Sequence, residues 1–192
     1  EFQKSKGRIC FRGDSVKDEN GAPAVFQEMS SSPTAIQTAN ANIAYGCIPG
    51  HSSSTADAIR AYVQSLLKSK HKTWVRIPPE LWPSHWRGKY HAPMCLLVKA
   101  LYGHPESGGH WENHLTEAIR HCGGAPVINH NSSFWFEESK LLLTVYVDDL
   151  LLSGPTDRHN ELWDKLRFGA HPIACDDPEP LMRFLGRNHE DY

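Results

Sequence analysis

Residues 141–154 read LLLTVYVDDLLLSG, and no other stretch limits the possible folds of this chain as much. Two adjacent carboxylates, Asp148 and Asp149, interrupt an apolar run on both sides. Leu141–Val147 has the length and the β-favouring residues (Val145, Tyr146, Val147) of a strand. Leu150–Ser153 supplies a return strand, and aspartates suit a tight turn between the two. An ordinary Asp-Asp hairpin turn is simply solvated. Two ionised carboxylates wedged between buried strands are costly unless a cation sits beside them. Oxygen-only ligands point to magnesium as that cation.

The chain has 192 residues, enough for one sizeable core. It is 40% apolar and 22% charged, which are globular values. No apolar run approaches the length of a membrane span, and the N-terminus lacks a signal-peptide pattern, so the reading is no membrane partner. The chain begins with Glu1 rather than Met, as a piece of a longer polyprotein would. Its five cysteines (Cys10, Cys47, Cys95, Cys122, Cys175) form no CxxC pair. That suits free thiols in a reducing, cytoplasmic compartment rather than secretion or a zinc ribbon.

The net charge of −2 argues against a strong general nucleic-acid binder. Its distribution is uneven. Residues 60–99 hold eight bases (Arg60, Lys68, Lys70, Lys72, Arg76, Arg87, Lys89, Lys99) against one acid, Glu80. From Glu137 onward there are twelve acids against six bases. A basic segment ahead of an acidic half reads either as a track for phosphates or as a solvated lysine-rich face.

In chain order, the alternation from Lys6 to Arg12 around Ile9 and Phe11 predicts a strand with one basic face. Ser30–Pro33 predicts a helix start, and the alanine-rich run to Tyr45 its body. His51–Ala56 is extended, with Asp57 at its end. Thr73–Ile77 and Met94–Leu101 read as strands. Ser107 is placed to cap a helix running to Cys122, with Trp111, Leu115, Ala118, Ile119 and Cys122 on one face. Phe134–Phe136 is a strand, Thr156–Phe168 a helix with Leu162, Trp163 and Leu166 inward, and LMRFLGRNHE a final strand.

Six stretches in order resemble one family, the copia-type retrotransposon reverse transcriptases: RICFRGD, ADAIRAY at 56–62, TWVRIPPE at 73–80, LVKALYGHPESGGHWE at 97–112, LTVYVDDLLLSG at 143–154 and RFLG at 183–186. The VYVDD pattern, and ALYG followed ten residues after Leu101 by Trp111, are its most specific parts. The resemblance implies an α+β right-hand polymerase fold with an antiparallel palm sheet backed by helices. It implies a single domain over 1–192, fingers-like at about 1–30 and 65–100, palm-like at about 31–64 and 101–192.

The same resemblance implies RNA-directed DNA polymerase activity. Asp57, Asp148 and Asp149 match the catalytic carboxylates, which would hold two Mg2+ ions, with Mn2+ as a substitute. Tyr62 matches the aromatic under the deoxyribose, its ring excluding a 2′-hydroxyl; without Asp57 five residues earlier, its residue type favours a core tyrosine instead. Arg8, Lys6 and Arg12 match residues that grip the incoming triphosphate, or else form a solvated strand face. The implied partners are an RNA or DNA template with primer, deoxynucleoside triphosphates, and integrase and ribonuclease H domains of a Pol polyprotein. The implied location is intracellular and cytoplasmic, within virus-like particles.

Glu106 departs from the pattern, because relatives commonly carry Gln there. A carboxylate near triphosphate and template repels unless it faces away or is paired. The thumb and ribonuclease H are expected outside the chain, which ends at Tyr192. His110, Glu112 and His114 do not make an HExxH zinc motif, since the Glu lies midway between the histidines. Two other readings stand beside the polymerase: a non-catalytic, truncated retrotransposon remnant that retains the fold and at most binds nucleic acid, and an unrelated magnesium-dependent hydrolase.

Overall fold

The computed structural model describes residues 7, 9–26 and 34–189. Lys6, Arg8 and the helix start at Ser30–Pro33 lie outside the described residues. The four α-helices among the described residues are α1 (Ile36–Gly46), α2 (Ala61–Gln64), α3 (Ser107–His121) and α4 (His159–Phe168). The strands are β1 (His51–Asp57), β2 (Trp74–Arg76), β3 (Met94–Leu96), β4 (Ala125–Pro126), β5 (Ser133–Phe136), β6 (Leu141–Tyr146), β7 (Asp149–Pro155), β8 (Glu179–Pro180), β9 (Arg183–Phe184) and β10 (Arg187–Asn188). Strands β4, β5, β6, β7, β1 and β8 form one sheet in that spatial order, every neighbour antiparallel. Strands β2–β3 and β9–β10 form two small separate ladders. The protein is therefore mixed α+β with an antiparallel sheet.

The hairpin β6–β7 lies at the centre of that sheet, and both of its faces are covered. This explains why its sequence is a nearly continuous apolar run rather than an alternation. On one face Leu141, Leu143 and Val145 of β6 and Leu150 and Leu152 of β7 meet Trp111, Leu115, Ala118 and Ile119 of α3, and Leu162, Trp163 and Leu166 of α4. Each of these fully buried leucines contributes about 1.5–3 kcal/mol of transfer free energy. On the other face Leu151 packs against Ala39 of α1 and Phe184 of β9. Asn42 of α1 is fully buried there and donates to Thr144 Oγ1 at 2.8 Å and to the Leu151 carbonyl at 3.1 Å. Those two bonds pin α1 to both strands of the hairpin.

Three local expectations are corrected. Residues 9–12 join no strand; instead the Phe11 N–H donates to the Tyr102 carbonyl at 2.6 Å. That contact needs two glycines. A Cβ on Gly103, whose φ is +87°, would stand 2.1 Å from the Phe11 carbonyl oxygen, and one on Gly13 would stand 2.2 Å from the Gly103 carbonyl oxygen. The strand expected over 94–101 is only Met94–Leu96, because Leu97 turns to donate to Thr73 and Ala100 to Ser65. Ser107 does not cap α3. Its hydroxyl donates to the Leu101 carbonyl at 2.8 Å and accepts the Leu101 N–H at 2.9 Å, tying the LYG turn to the helix start.

Candidate active site

Register brings the carboxylates together. The β1–β7 ladder sets Asp57 directly opposite Asp149, although Asp57 lies 91 residues before Asp148 in the chain. In β6–β7 the last pair is Tyr146 with Asp149. The hairpin turn is thus Val147–Asp148, not Asp148–Asp149 as the sequence suggested, and Asp149 is the first residue of β7. Val147 has φ +59° while Asp148 has no positive φ, the sign pattern of a type II′ turn. Such turns match the twist of the strands they join, and the register that pairs Tyr146 with Asp149 places the turn at Val147–Asp148. A β-branched residue at positive φ is a conformational outlier, and outliers of this kind gather at functional sites.

The surrounding backbone holds the cluster from two sides. The Ala58 N–H donates to the Asp148 carbonyl at 2.7 Å, and the Asp176 N–H to the Asp57 carbonyl at 3.0 Å. Side chains at paired antiparallel positions project to the same face, so Asp57 and Asp149 face one another. Asp149 is half-buried, and its carboxyl is pushed up to about 6. Burial is the main cause, followed by the charges of Asp57 and Asp148 and a hydrogen bond to Asp57. The carboxylates of Asp57, Asp148 and Asp149 offer only oxygen donors, a chemistry that fits a hard divalent cation. Among the described residues no three His, Cys, Asp or Glu side chains close into a ready-made metal cage.

Tyr62 lies in α2, partly buried against the core on the α3 side, with its ring 4.7 Å from that of Tyr102. It lines a cavity of about 240 Å³ together with Trp111, Leu115, Phe134, Val145 and Val147. Arg12 is exposed and paired with Asp14 at 3.2 Å. It immediately precedes Gly13, which packs on Gly103, so a run of contacts links Arg12 through the LYG turn to Tyr102 and Tyr62. The structure thus pairs Asp57 with Asp149, leaves Asp148 beside them in the hairpin turn, sets Tyr62 on the α3 side of the sheet, and places Arg12 beyond the LYG turn.

Glu106, the departure from the family pattern, is buried. Its Oε2 lies 3.8 Å from Nε2 of His110, one turn along α3. Neither atom has a hydrogen-bonding partner among the described residues. Close by, His104 accepts the Glu106 N–H at 3.2 Å, and burial lowers its pKa from the ordinary value. Glu106 is therefore turned inward beside a histidine. The ring of His114 lies against Trp111.

Reading the sequence missed two participants. Ala58 ties Asp148 to β1 through its backbone, and a backbone bond carries no sequence signal. Trp111 was read only as a core residue, yet its indole N–H donates to the Val147 carbonyl in the turn at 2.6 Å. Its place ten residues after Leu101 was the available hint.

The class this structure defines is an α+β protein with an antiparallel sheet whose central hairpin presents a cluster of carboxylates. No protein-family profile matches the chain, and no curated protein matches it.

Proposed function

We propose that this chain is the fingers-and-palm portion of a copia-type reverse transcriptase, an RNA-directed DNA polymerase that extends a primer with deoxynucleotides. The observation that carries the reading is the cross-strand pairing of Asp57 with Asp149 beside Asp148. Carboxylates so far apart in sequence gain nothing structurally by meeting, since their mutual repulsion costs stability. The packing of the FRGD and LYG segments on each other adds support. In this reading the large sheet with α1, α3 and α4 is the palm, and β2–β3 belongs to the fingers. The partners are a primed RNA or DNA template, deoxynucleoside triphosphates, and integrase and ribonuclease H domains of one polyprotein, in the cytoplasm or in virus-like particles.

Asp57, Asp148 and Asp149 would hold two magnesium ions, which when bound supply Lewis acidity toward the primer 3′-hydroxyl and the triphosphate. The contribution of the chain itself is positioning and electrostatics, which dominate phosphoryl transfer. The β1–β7 ladder holds two carboxylates face to face, and Ala58 seats the third. Tyr62 underlies the sugar and excludes a 2′-hydroxyl. Arg12, with Lys6 and Arg8, grips the triphosphate. Glu106, held beside His110, keeps its charge away from the phosphates.

Primer extension on an RNA template in Mg2+ tests the reading, with Asp57→Asn and Asp148→Asn as controls. The expected result is deoxynucleotide addition that falls by about 10³-fold or more in each variant. Addition that survives both substitutions overturns the assignment of the carboxylates. A chain that binds primed template and triphosphate without adding a nucleotide is the non-catalytic remnant.

A further inference from the structure

We infer that Trp111 is the positioning residue of the carboxylate hairpin: its indole N–H clamps the central peptide of the Val147–Asp148 turn and so fixes the direction of Asp148. The inference rests on the reading of Asp57, Asp148 and Asp149 as a magnesium site.

The two primed hairpin turns differ by a flip of one peptide plane. Type II′ has positive φ at the first central residue only, and type I′ at both. The flip turns the carbonyl of the first central residue to the opposite side, carries the second central residue into the left-handed region, and re-aims its side chain. Here the first central residue is Val147, with φ +59°, and the second is Asp148. Aspartate tolerates the left-handed region better than most residues, so the flipped turn is an accessible competitor. A valine at positive φ does nothing to favour the observed form; glycine is the residue type II′ turns prefer there.

Trp111 supplies the missing preference. Its side chain is buried on α3, and its indole nitrogen lies 2.6 Å from the Val147 carbonyl oxygen, the atom a flip would turn away. A buried indole N–H that lost this acceptor would have to find another partner, which opposes the flip. On the other side of Asp148 its carbonyl accepts the Ala58 N–H at 2.7 Å. The carbonyls of both Val147 and Asp148 are therefore held, one by α3 and one by the end of β1. Helix α3 thus contributes more to the site than core packing: it sets the hairpin that carries Asp148.

The test compares Trp111→Phe, which keeps an aromatic ring and removes the donor, with the wild-type chain and with Trp111→Phe/Val147→Gly. Two readouts are taken on the metal-free protein and in MgCl2: amide hydrogen exchange at Ala58, which reports the seating of Asp148, and Mg2+ affinity by titration calorimetry. Trp111→Phe should speed exchange at Ala58 and weaken Mg2+ binding by about fivefold, the factor one neutral hydrogen bond typically carries. Glycine at 147 favours type II′ by itself and should restore both to within about twofold of wild type. A structural role for the tryptophan predicts no such rescue. A folded Trp111→Phe protein with unchanged exchange at Ala58 overturns the inference and leaves the magnesium reading standing. A wild-type chain that takes up no Mg2+ while its Ala58 exchange responds to Trp111→Phe overturns the magnesium reading, and the positioning role with it. Should Trp111→Phe fail to fold, the indole 15N–H resonance of the wild-type protein decides. A slowly exchanging Trp111 signal that shifts on MgCl2 addition supports the clamp, and an unprotected, insensitive one refutes it.

Discussion

Asp149→Asn should stabilise the metal-free protein at neutral pH, and the gain should vanish in acid. Burial and the charges of Asp57 and Asp148 push the Asp149 carboxyl from its ordinary 3.8 up to about 6. An acid raised in this way is charged at a cost above its folded pKa, and the folded chain holds the proton more tightly than the unfolded one. Stability from this group is therefore lowest above pH 6 and recovers as pH falls from about 6 to about 4. The full rise corresponds to about 3 kcal/mol at 1.36 kcal/mol per unit. Because the side chain is only half-buried, solvent screening reduces the useful figure to about 1–1.5 kcal/mol. For a chain of this size that is about 2–6 °C in Tm. Asparagine has the same shape and no charge to bury, so thermal melts of the two proteins at pH 7.5 without metal should differ by that amount, asparagine higher. At pH 4 the curves should coincide, because the wild-type carboxyl is then neutral in the folded state. Titrating groups away from the cluster act in both proteins and cancel in the difference, whereas Asp57 and Asp148 titrate together with Asp149 and belong to the effect. MgCl2 should raise the wild-type Tm and narrow or reverse the gap at pH 7.5, since only the native state binds the ion. An asparagine variant that melts below wild type at pH 7.5, or a gap that persists at pH 4, would refute the claim that crowded charge governs this site.

Tyr62→Val should raise ribonucleotide use relative to deoxyribonucleotide use by about tenfold or more in single-nucleotide additions, if the ring underlies the sugar. An active variant with unchanged sugar discrimination would reduce Tyr62 to core packing. Gly103→Ala should cost about 2–4 kcal/mol in chemical denaturation, because it adds a Cβ at φ +87° against the Phe11 carbonyl and forces the FRGD segment off the LYG turn. Buried His159 bridges Ser54 Oγ at 2.8 Å and the Gly154 carbonyl at 3.2 Å, and burial lowers its pKa. The unfolded chain then takes up a proton before the folded one, so this group withdraws stability as pH falls below about 6.5. His159→Ala should cost about 1–3 kcal/mol at pH 7.5 and less at pH 5.5, as read from urea midpoints.

Elements that bury one or both faces of a regular pattern were legible in the sequence. The 3.6-residue spacing of Trp111, Leu115, Ala118 and Ile119 leaves one solution, a helix on a core, and α3 is that helix. The unbroken apolar hairpin could only be a strand pair covered on both faces. The illegible parts were those whose pattern is satisfied elsewhere. Alternation over Lys6–Arg12 predicted a strand, yet the described part of that segment bonds to a loop at Tyr102, made possible by two glycines facing each other at positions 13 and 103. Ser107 has a capping residue's chemistry and spends its hydroxyl on the Leu101 backbone instead. Local propensity identifies such groups as hydrogen-bonding, not which partner they choose.

The candidate site divides along the same line. Asp148 and Asp149 stood out because two charges inside an apolar run demand a reason, but their roles in the hairpin were not legible. Side-chain preference favours both aspartates in the turn, whereas the twist of the ladder and the pairing of Tyr146 with Asp149 put a valine there. Tertiary constraint overrode turn chemistry, and the cost appears as the positive φ of Val147. That cost is informative. With glycine at position 147 the hairpin would hold its shape alone and the indole bond from Trp111 would be dispensable. With valine the turn depends on its surroundings, so the direction of Asp148 is coupled to the seating of α3, and through Tyr62 and Tyr102 to the segments packed around the LYG turn. A substitution that loosens any of these should be felt first at the hairpin tip, before the core beneath it yields.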